Sequence, residues 1–274
     1  KGYLLEEVSL AYALSGRHAA QMFQTKRPPL GKGGKTLVIG NLDYGPLRPQ
    51  QEQQHNPLAG VKEWVTWTEK AMPDHESQVL EGAEVTSDRL RDEFAKGYAE
   101  IIINAHGPCA VPVGRRTPPQ ALGQLTELHP VPPGIVEQVF MPLARSNAEA
   151  PGGLNKPPPE YFQFVKMQRV SCLWWWGCDT SVGPRIAAES VLGFPRAFLM
   201  NGCGAVLTSF TPVGTGPTSH FSKLVHRGVW HHGLSPNQAL RNAQLYQLRN
   251  GGNQSHPAAW ATWVLIGEQG DLEV

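Results

Sequence analysis

Short apolar runs alternate with helical patterns in the first hundred residues of the chain. Thr36–Gly40 is a short continuous apolar run, which is typical of a strand buried on both faces of a parallel sheet. Ala99–Ala105, with three consecutive isoleucines, is the clearest predicted strand, and Ser77–Glu81 is a further one. Apolar residues at helical spacing predict one helix over Leu58–Met72 and another that begins after Thr86. This alternation favours an α/β fold with a mostly parallel central sheet between two layers of helices.

Both ends of the chain add further elements to this pattern. Val8–Ala13 alternates apolar and small residues and predicts a half-buried strand, and Ser15 offers an N-cap for a short helix. Toward the C-terminus we expect three strands and four helices. The strands are Val170–Trp176, Cys203–Phe210 and Trp260–Ile266. One helix is expected to start at Pro184, and the others are Pro195–Asn201, Ser219–Trp230 and Ser235–Arg249.

A proline-rich segment interrupts the pattern at about residues 108–159. It contains 12 of the 24 prolines and few charged residues, and its apolar residues follow no sustained helical or strand period, so the sequence predicts a loop-rich insertion. We find no internal repeat. Residues 1–274 are therefore interpreted as a single domain that carries this insertion.

Composition and charge exclude several classes of protein. The 274 residues carry a net charge of +1, which provides no basic field for nucleic acid, and the longest apolar runs are too short to span a membrane. Four cysteines without a Cys-x-x-Cys pair favour a reducing compartment, so we expect a cytoplasmic location. The chain begins at Lys1 without Met, and we interpret it as part of a longer multidomain protein.

Two reactive side chains directly follow predicted strands. His106 comes after the Ile-rich strand and Cys178 after the Trp-rich strand, each beside a glycine. Ligands bind at the carboxyl ends of parallel strands, and neighbouring strands lie about 4.8 Å apart, so the two side chains are expected to be within reach of each other. An imidazole can take the proton of a thiol and later protonate a leaving amine, which predicts cysteine hydrolase chemistry.

The remaining cysteines and a cluster of histidines lack such a context. Cys109, Cys172 and Cys203 are interpreted as structural. His220, His226 and His231–His232 have no cysteine or carboxylate at ligand spacing, so they are expected at the surface, and no metal or other cofactor is predicted. Gly31–Thr36 precedes a strand, whereas a phosphate-binding loop follows one.

Several motifs in order resemble the CHAT domain, a family of the caspase-like clan of cysteine peptidases that also contains caspases, gingipains and separase. The resemblance extends from about Tyr3 to Gly267. It rests on Asn104–Gly107, Leu173–Ser181, Phe198–Gly202, Ala205–Val213, Ala239–Gln244, His256–Pro257 and Ile266–Gly267.

The resemblance implies a caspase-like three-layer α/β/α sandwich and a catalytic dyad of His106 and Cys178. It further implies an oxyanion hole from the backbone N–H groups of Gly107 and Cys178. The pocket for the P1 side chain of a peptide substrate would be lined by the loop Asn41–Tyr44, which includes Asp43, and by Ala105 and Trp176.

This chain departs from the family pattern in two places. Trp174–Gly177 replaces the small residues that usually precede the cysteine, which would reshape the P1 pocket, and the proline-rich segment lengthens the distance between the dyad residues. Asp43 could pair with a basic P1 residue, although Asp-Tyr-Gly-Pro is also ordinary turn chemistry.

The leading hypothesis is a cysteine endopeptidase that hydrolyses a protein or peptide substrate. By resemblance, it would be a regulated effector in bacterial defence or cell death, controlled by a fused or separate sensor domain. One alternative is a catalytically inactive caspase-like interaction module. The near-zero charge disfavours a third hypothesis, a nucleotide or nucleic-acid binder.

Overall fold

A computed structural model describes residues 2–8, 10, 12–14, 19, 27, 30, 34–44, 58, 60–71, 76–107, 109–113, 136–141, 143, 159–162, 164–181 and 193–268. A six-stranded sheet organises this part of the chain, with strand order β2-β1-β3-β6-β7-β8. Its strands are β1 (Lys35–Leu42), β2 (Glu76–Gly82), β3 (Glu100–Asn104), β6 (Cys172–Trp175), β7 (Ala205–Ser209) and β8 (Trp263–Gly267). The first five strands in this order are parallel, and β8 pairs antiparallel with β7.

Helices cover both faces of the sheet. They are α1 (Leu4–Glu7), α2 (Val61–Ala71), α3 (Ser87–Phe94), α4 (Phe194–Met200), α5 (Thr215–His232), α6 (Pro236–Asn250) and α7 (Pro257–Trp260), with 3-10 turns at Pro159–Phe162 and Gly252–Gln254. Local sequence sets several of their ends. Thr86 accepts a hydrogen bond from the N–H of Arg89 at the start of α3, and Ser235 forms a capping box with Gln238 at the start of α6.

Alternating strand residues build two separate cores. On one face, Ile103 and Trp175 pack with aromatic residues of α3, α4 and the first 3-10 turn. On the other face, Ile102 and Trp174 pack against α2, α5 and α6. The predicted three-layer α/β/α arrangement with a mostly parallel sheet is therefore confirmed.

The proline-rich segment is not loop alone. Within it, β4 (Cys109–Val113) and β5 (Val136–Phe140) form a separate antiparallel pair. Valines at both strands favour extended backbone, which the density of prolines obscures in the sequence. The rest of the predicted insertion lies largely outside the described residues. So does the stretch that begins at Pro184, where a further helix is expected.

The N-terminal prediction is wrong in the described residues. The strand expected over Val8–Ala13 is reduced to a single bridge between Tyr12 and Ile266, and a short helix precedes it. Arg241 on α6 donates hydrogen bonds to the carbonyls of Leu5, Glu6 and Val8, so this segment is held by a side chain instead of a strand partner. The helix predicted after Ser15 lies outside the described residues, apart from one helical residue at position 19.

Candidate active site

The strand register brings the two predicted reactive residues to one point of the sheet edge. β3 pairs in parallel with β6, with Ile103 opposite Trp175, and the N–H of Trp176 donates to the carbonyl of Ile103 at 2.8 Å. Continuing this register past the strand ends places His106 opposite Cys178. Both side chains are partly exposed, so the edge is open to solvent at this position.

The two glycines beside these residues allow the backbones to touch. A Cβ on Gly107 would lie 1.4 Å from the carbonyl oxygen of Cys178, and a Cβ on Gly177 would lie 2.6 Å from the carbonyl oxygen of Ala105. No other residue fits at either position without moving the backbone. The loops that carry His106 and Cys178 are therefore packed directly against each other.

The loop after β7 holds the thiol of Cys178. Its Sγ lies 3.4 Å from both the backbone nitrogen and the carbonyl oxygen of Val213. Burial raises the pKa of the thiol, the hydrogen bond with Val213 offsets part of this effect, and the nearby Asp179 raises the pKa further. The thiol at rest is therefore protonated, and thiolate formation requires a base.

Ser209, at the end of β7, fixes the loop on both sides of Cys178. Its hydroxyl donates to the carbonyl of Gly177 at 2.7 Å, and its N–H donates to the hydroxyl of Thr180 at 2.7 Å. Its own carbonyl accepts the hydroxyl of Ser181. Asp179, between these anchors, adopts a left-handed backbone with φ of 49°, which turns the chain sharply after Cys178.

The backbone nitrogens of Gly107 and Cys178 lie at the same junction between the two loops. Cys178 N lies 3.0 Å from the position of a Cβ on Gly107, and Gly107 N lies 3.0 Å from that of a Cβ on Gly177. Within the described ranges, neither N–H donates a hydrogen bond to another residue's backbone or side chain. Such donors suit an oxyanion that develops between the two loops.

Tyr44, the last residue of the loop expected to line the P1 pocket, is a neighbour of His106. Its ring is buried, and the centroids of the Tyr44 and His106 rings are 5.7 Å apart. Tyr44 follows β1, the strand next to β3, so three consecutive strand ends, of β1, β3 and β6, contribute to the site.

Three of the residues expected to line a P1 pocket do not share one surface. Asp43 is exposed after β1, and Ala105 is buried in the core beneath α3 and α4. Trp176 points to the opposite face, toward α2 and α5. There it lines a pocket together with Asn104, Val61, Trp64, Thr215 and Thr218, which we call the Asn104 pocket.

A buried polar network lies beneath Trp176. The indole N–H of Trp176 donates to Nε2 of His226 at 3.1 Å, so the neutral ring of His226 carries its proton on Nδ1. That nitrogen lies 3.7 Å from the carboxylate of Glu100, which also accepts the indole N–H groups of Trp174 and Trp230. A chain of side chains thus connects Glu100 to the residue two positions before Cys178.

Burial shifts the pKa values of Glu100 and His226, the two ionisable groups of this network. It raises the pKa of Glu100 to about 7, partly offset by the hydrogen bonds from Trp230, Trp174 and Thr36, and it lowers the pKa of His226 to about 3. His226 is fully buried and stacks on Trp230, so the expectation that it lies at the surface is wrong. It faces the sheet from α5, a position that residue type alone does not reveal.

Within the residues that the structure describes, no group of three His, Cys, Asp or Glu side chains could hold a metal ion. None of the described helices is long and apolar enough to cross a membrane.

Comparison with known proteins finds a family model that matches part of this chain and solved structures that share its fold. Residues 165–268 match the family model of the CHAT domain. Among curated proteins, none matches this chain. The separase of the Saccharomyces cerevisiae separase–securin complex superposes with a TM-score of 0.56 at 12% identity, covering 96% of this chain and 14% of the separase chain.

Gingipain structures have the same fold. The Arg-specific cysteine proteinase gingipain R superposes with a TM-score of 0.54 at 10% identity, covering 92% of this chain and 51% of that chain. A complex of the pro- and mature domains of RgpB from Porphyromonas gingivalis gives a TM-score of 0.52 at 10% identity, covering 92% of this chain and 52% of that chain. This chain thus spans about half the length of the gingipains and a much smaller part of separase. The resemblance to the CHAT family and its caspase-like fold is confirmed.

Proposed function

We propose that this chain, whose residues 165–268 match the CHAT domain within a caspase-like fold, is a cysteine endopeptidase with His106 and Cys178 as its catalytic dyad. The observation that carries the proposal is the contact between the two loops. Only glycine fits at positions 107 and 177, and this contact holds a partly exposed thiol and a partly exposed imidazole at one sheet edge.

The chemistry follows from the resting state of the thiol. His106 takes the proton of Cys178, and the thiolate attacks the carbonyl carbon of the scissile peptide bond. The resulting oxyanion accepts hydrogen bonds from the N–H groups of Gly107 and Cys178. His106 then gives the proton to the leaving amine as the C–N bond breaks, which leaves a thioester on Cys178.

Water completes the cycle. His106 removes a proton from a water molecule, the hydroxide adds to the thioester carbonyl, and the C–S bond breaks. The proton returns from His106 to the sulfur of Cys178, the acid product leaves, and both residues are restored for the next substrate. His106 thus acts as base in both halves of the reaction, toward the thiol in the first and toward water in the second.

Covalent labelling and cleavage test the dyad. A peptidyl acyloxymethyl ketone should alkylate Cys178, and His106→Ala should slow that reaction at least a hundredfold while the fold is retained. Cys178→Ala should abolish both labelling and cleavage of a peptide library. Cys203→Ala is the matched control, since Cys203 is a free cysteine buried in the core, and it should leave both activities in place.

The alternative is an inactive interaction module with the same fold. The large Trp174 and Trp176 side chains before Cys178 favour it, since they occupy space that smaller residues would leave open. Failure of every peptidyl electrophile to label Cys178 in the folded chain would contradict the peptidase and support this alternative.

We further propose that a protein partner or fused domain regulates the activity in the cytoplasm, as part of bacterial defence or cell death. Support for protein partners comes from the two structural neighbours, which occur as a complex of separase with securin and a complex of RgpB with its pro-domain. Cys172, Cys178 and Cys203 are free thiols, which agrees with a reducing compartment. Cleavage assays with and without the flanking coding sequence would test the regulation.

A further inference from the structure

The Asn104 pocket opens beside the proposed dyad on the face of the sheet covered by α2 and α5. Two of its lining residues, Asn104 and Trp176, precede His106 and Cys178 by two positions each. The others come from the start of α2 and from the first turn of α5, with Val61 and Thr215 as examples. The pocket therefore lies at the ends of the same two strands that carry the proposed dyad.

The amide of Asn104 is buried without a partner. Asn104 is 2% exposed, and neither its Nδ2 nor its Oδ1 forms a hydrogen bond with any described residue. A buried amide in this state is costly, so such groups are usually paired. The lining of the pocket thus holds an amide whose donor and acceptor groups, like the indole N–H of Trp64, have no partner among the described residues.

Packing against β1 and α2 sets the position of the Asn104 side chain. Gly40 pairs with Asn104 in the sheet, and a Cβ on Gly40 would lie 3.2 Å from the Cβ of Asn104 and 2.8 Å from Cγ2 of Val65. The side chain of Asn104 fills the space that any larger residue at position 40 would take. Its position is therefore fixed by β1 and α2 before a substrate binds.

The lining determines which side chain fits. No charged side chain lines the pocket in the described part of the chain, so a buried Arg, Lys, Asp or Glu would lack a counter-charge. An apolar side chain would leave the amide of Asn104 unpaired. A primary amide supplies both the missing acceptor and the missing donor, while its methylene groups pack on Val61, Trp64 and Trp176.

We infer that the Asn104 pocket is the P1 subsite of the proposed peptidase and that it selects substrates with Asn or Gln at P1. This inference rests on the proposed function. It assigns the specificity to Asn104, a residue that the sequence did not suggest, and not to the exposed Asp43, which lies outside the lining.

The test uses a set of peptidyl acyloxymethyl ketones that differ only in the P1 residue, which is Asn, Gln, Leu, Met, Asp, Glu, Arg or Lys. Each compound is reacted with the full chain, and mass spectrometry measures the rate at which Cys178 is modified. We expect the Asn or Gln compound to react at least tenfold faster than the Leu and Met compounds and faster than all charged ones. Asn104→Leu has a similar volume without the amide, and it should lower the rate for Asn and Gln at least tenfold while the Leu rate is kept or raised.

Asn250→Leu is the matched control, because Asn250 is an exposed residue at the end of α6, and it should leave the order of rates unchanged. Faster reaction of a charged or an apolar P1 compound, dependent on His106, would overturn this inference while the peptidase proposal stands. An Asn104→Leu variant that is folded and keeps the wild-type order would also overturn it. Absence of reaction at Cys178 with every compound would overturn both proposals.

Discussion

Gly107 and Cys178 are in backbone contact although 70 residues separate them in the chain, and a methyl group on Gly107 would overlap the carbonyl oxygen of Cys178 at 1.4 Å. The contact joins the ends of β3 and β6 into a single unit. Any change that separates these two residues would move the proposed base away from the proposed nucleophile. The glycine is therefore as important to the geometry as the two reactive side chains.

Gly107→Ala should disrupt both stability and activity. The added methyl group has no space, so the loops must separate, at a cost of about 1–3 kcal/mol of unfolding free energy or more, as overpacking usually causes. We expect kcat/KM, or the rate of Cys178 labelling, to fall at least a hundredfold. Chemical denaturation and labelling kinetics measure the two effects.

Gly216→Ala is the control for this substitution. Gly216 lies in α5, is exposed, and has open space around its Cβ position. Alanine should be neutral or stabilise the helix there by up to about 1 kcal/mol. Equal behaviour of the two variants would show that the contact between the loops has no functional importance.

Ser209→Ala should loosen the loop that carries Cys178. The hydroxyl of Ser209 is fully buried and donates to the carbonyl of Gly177, so its removal leaves that carbonyl without this partner. A loss of about 1–3 kcal/mol in unfolding free energy is expected. A decrease in kcat larger than any change in KM should accompany it, because the position of the nucleophile becomes less fixed.

The neighbouring Thr208 provides a matched control. It is equally buried, but its hydroxyl has no hydrogen-bond partner in the described residues. Thr208→Val removes an unpaired polar group at nearly constant volume and should leave activity unchanged and stability unchanged or higher. If Ser209→Ala is as well tolerated as Thr208→Val, the proposed role of Ser209 is contradicted.

The sequence was sufficient to predict the sheet and its edge. Apolar runs end at His106–Gly107 and at Gly177–Cys178, and the carboxyl ends of parallel strands share one edge, so the meeting point followed from local pattern and topology alone. Alternate residues of β6 also belong to different cores, as the period of two along a strand predicts. Cys172 and Trp174 pack on one face of the sheet, and Leu173 and Trp175 pack on the other.

The sequence was insufficient where strand register and helix packing decide the environment. Asn104 packs against Gly40, which lies 64 residues earlier in the chain and opposite it on the adjacent strand, and its amide has no partner among the described residues. His226 is buried because α5 turns that side toward Trp176 and Glu100. No local pattern marks either relationship. The β4–β5 pair was missed for a different reason, since prolines dominate the composition of its surroundings.

Alkylation of Cys178 by iodoacetamide should depend on pH as expected for a thiol that is protonated at rest. Burial raises the pKa of this thiol, so the rate should be slow at neutral pH and increase with pH beyond the range in which an ordinary cysteine titrates. Mass spectrometry of the modified residue over a pH series measures the titration. A rate that is already maximal at neutral pH would show a preformed thiolate and contradict the resting state described above.

Glu100 and His226 should have opposite effects on the pH dependence of stability. The pKa of Glu100 is raised to about 7 from 4.5, so the folded state binds the extra proton, and this contribution to stability is lost as pH rises from 4.5 to about 7. The pKa of His226 is lowered to about 3 from 6.5, so its contribution is lost as pH falls from 6.5 to about 3. Between pH 4.5 and 6.5 the two effects oppose each other.

Single substitutions should reveal each effect by removing the other. In Glu100→Gln, the unfolding free energy should rise with pH between about 3 and 6.5, with a slope of up to about 1.4 kcal/mol per pH unit from His226. In His226→Gln, which keeps an acceptor for the indole of Trp176, the free energy should instead fall as pH rises from 4.5 to about 7. Urea denaturation at several pH values gives the unfolding free energy of each variant as a function of pH.

Glu76→Gln, which removes a carboxylate from an exposed ion pair with Lys35, is the control and should keep the pH dependence of the wild-type unfolding free energy. Parallel pH profiles in all three variants and the wild type would mean that neither buried group changes its protonation on folding.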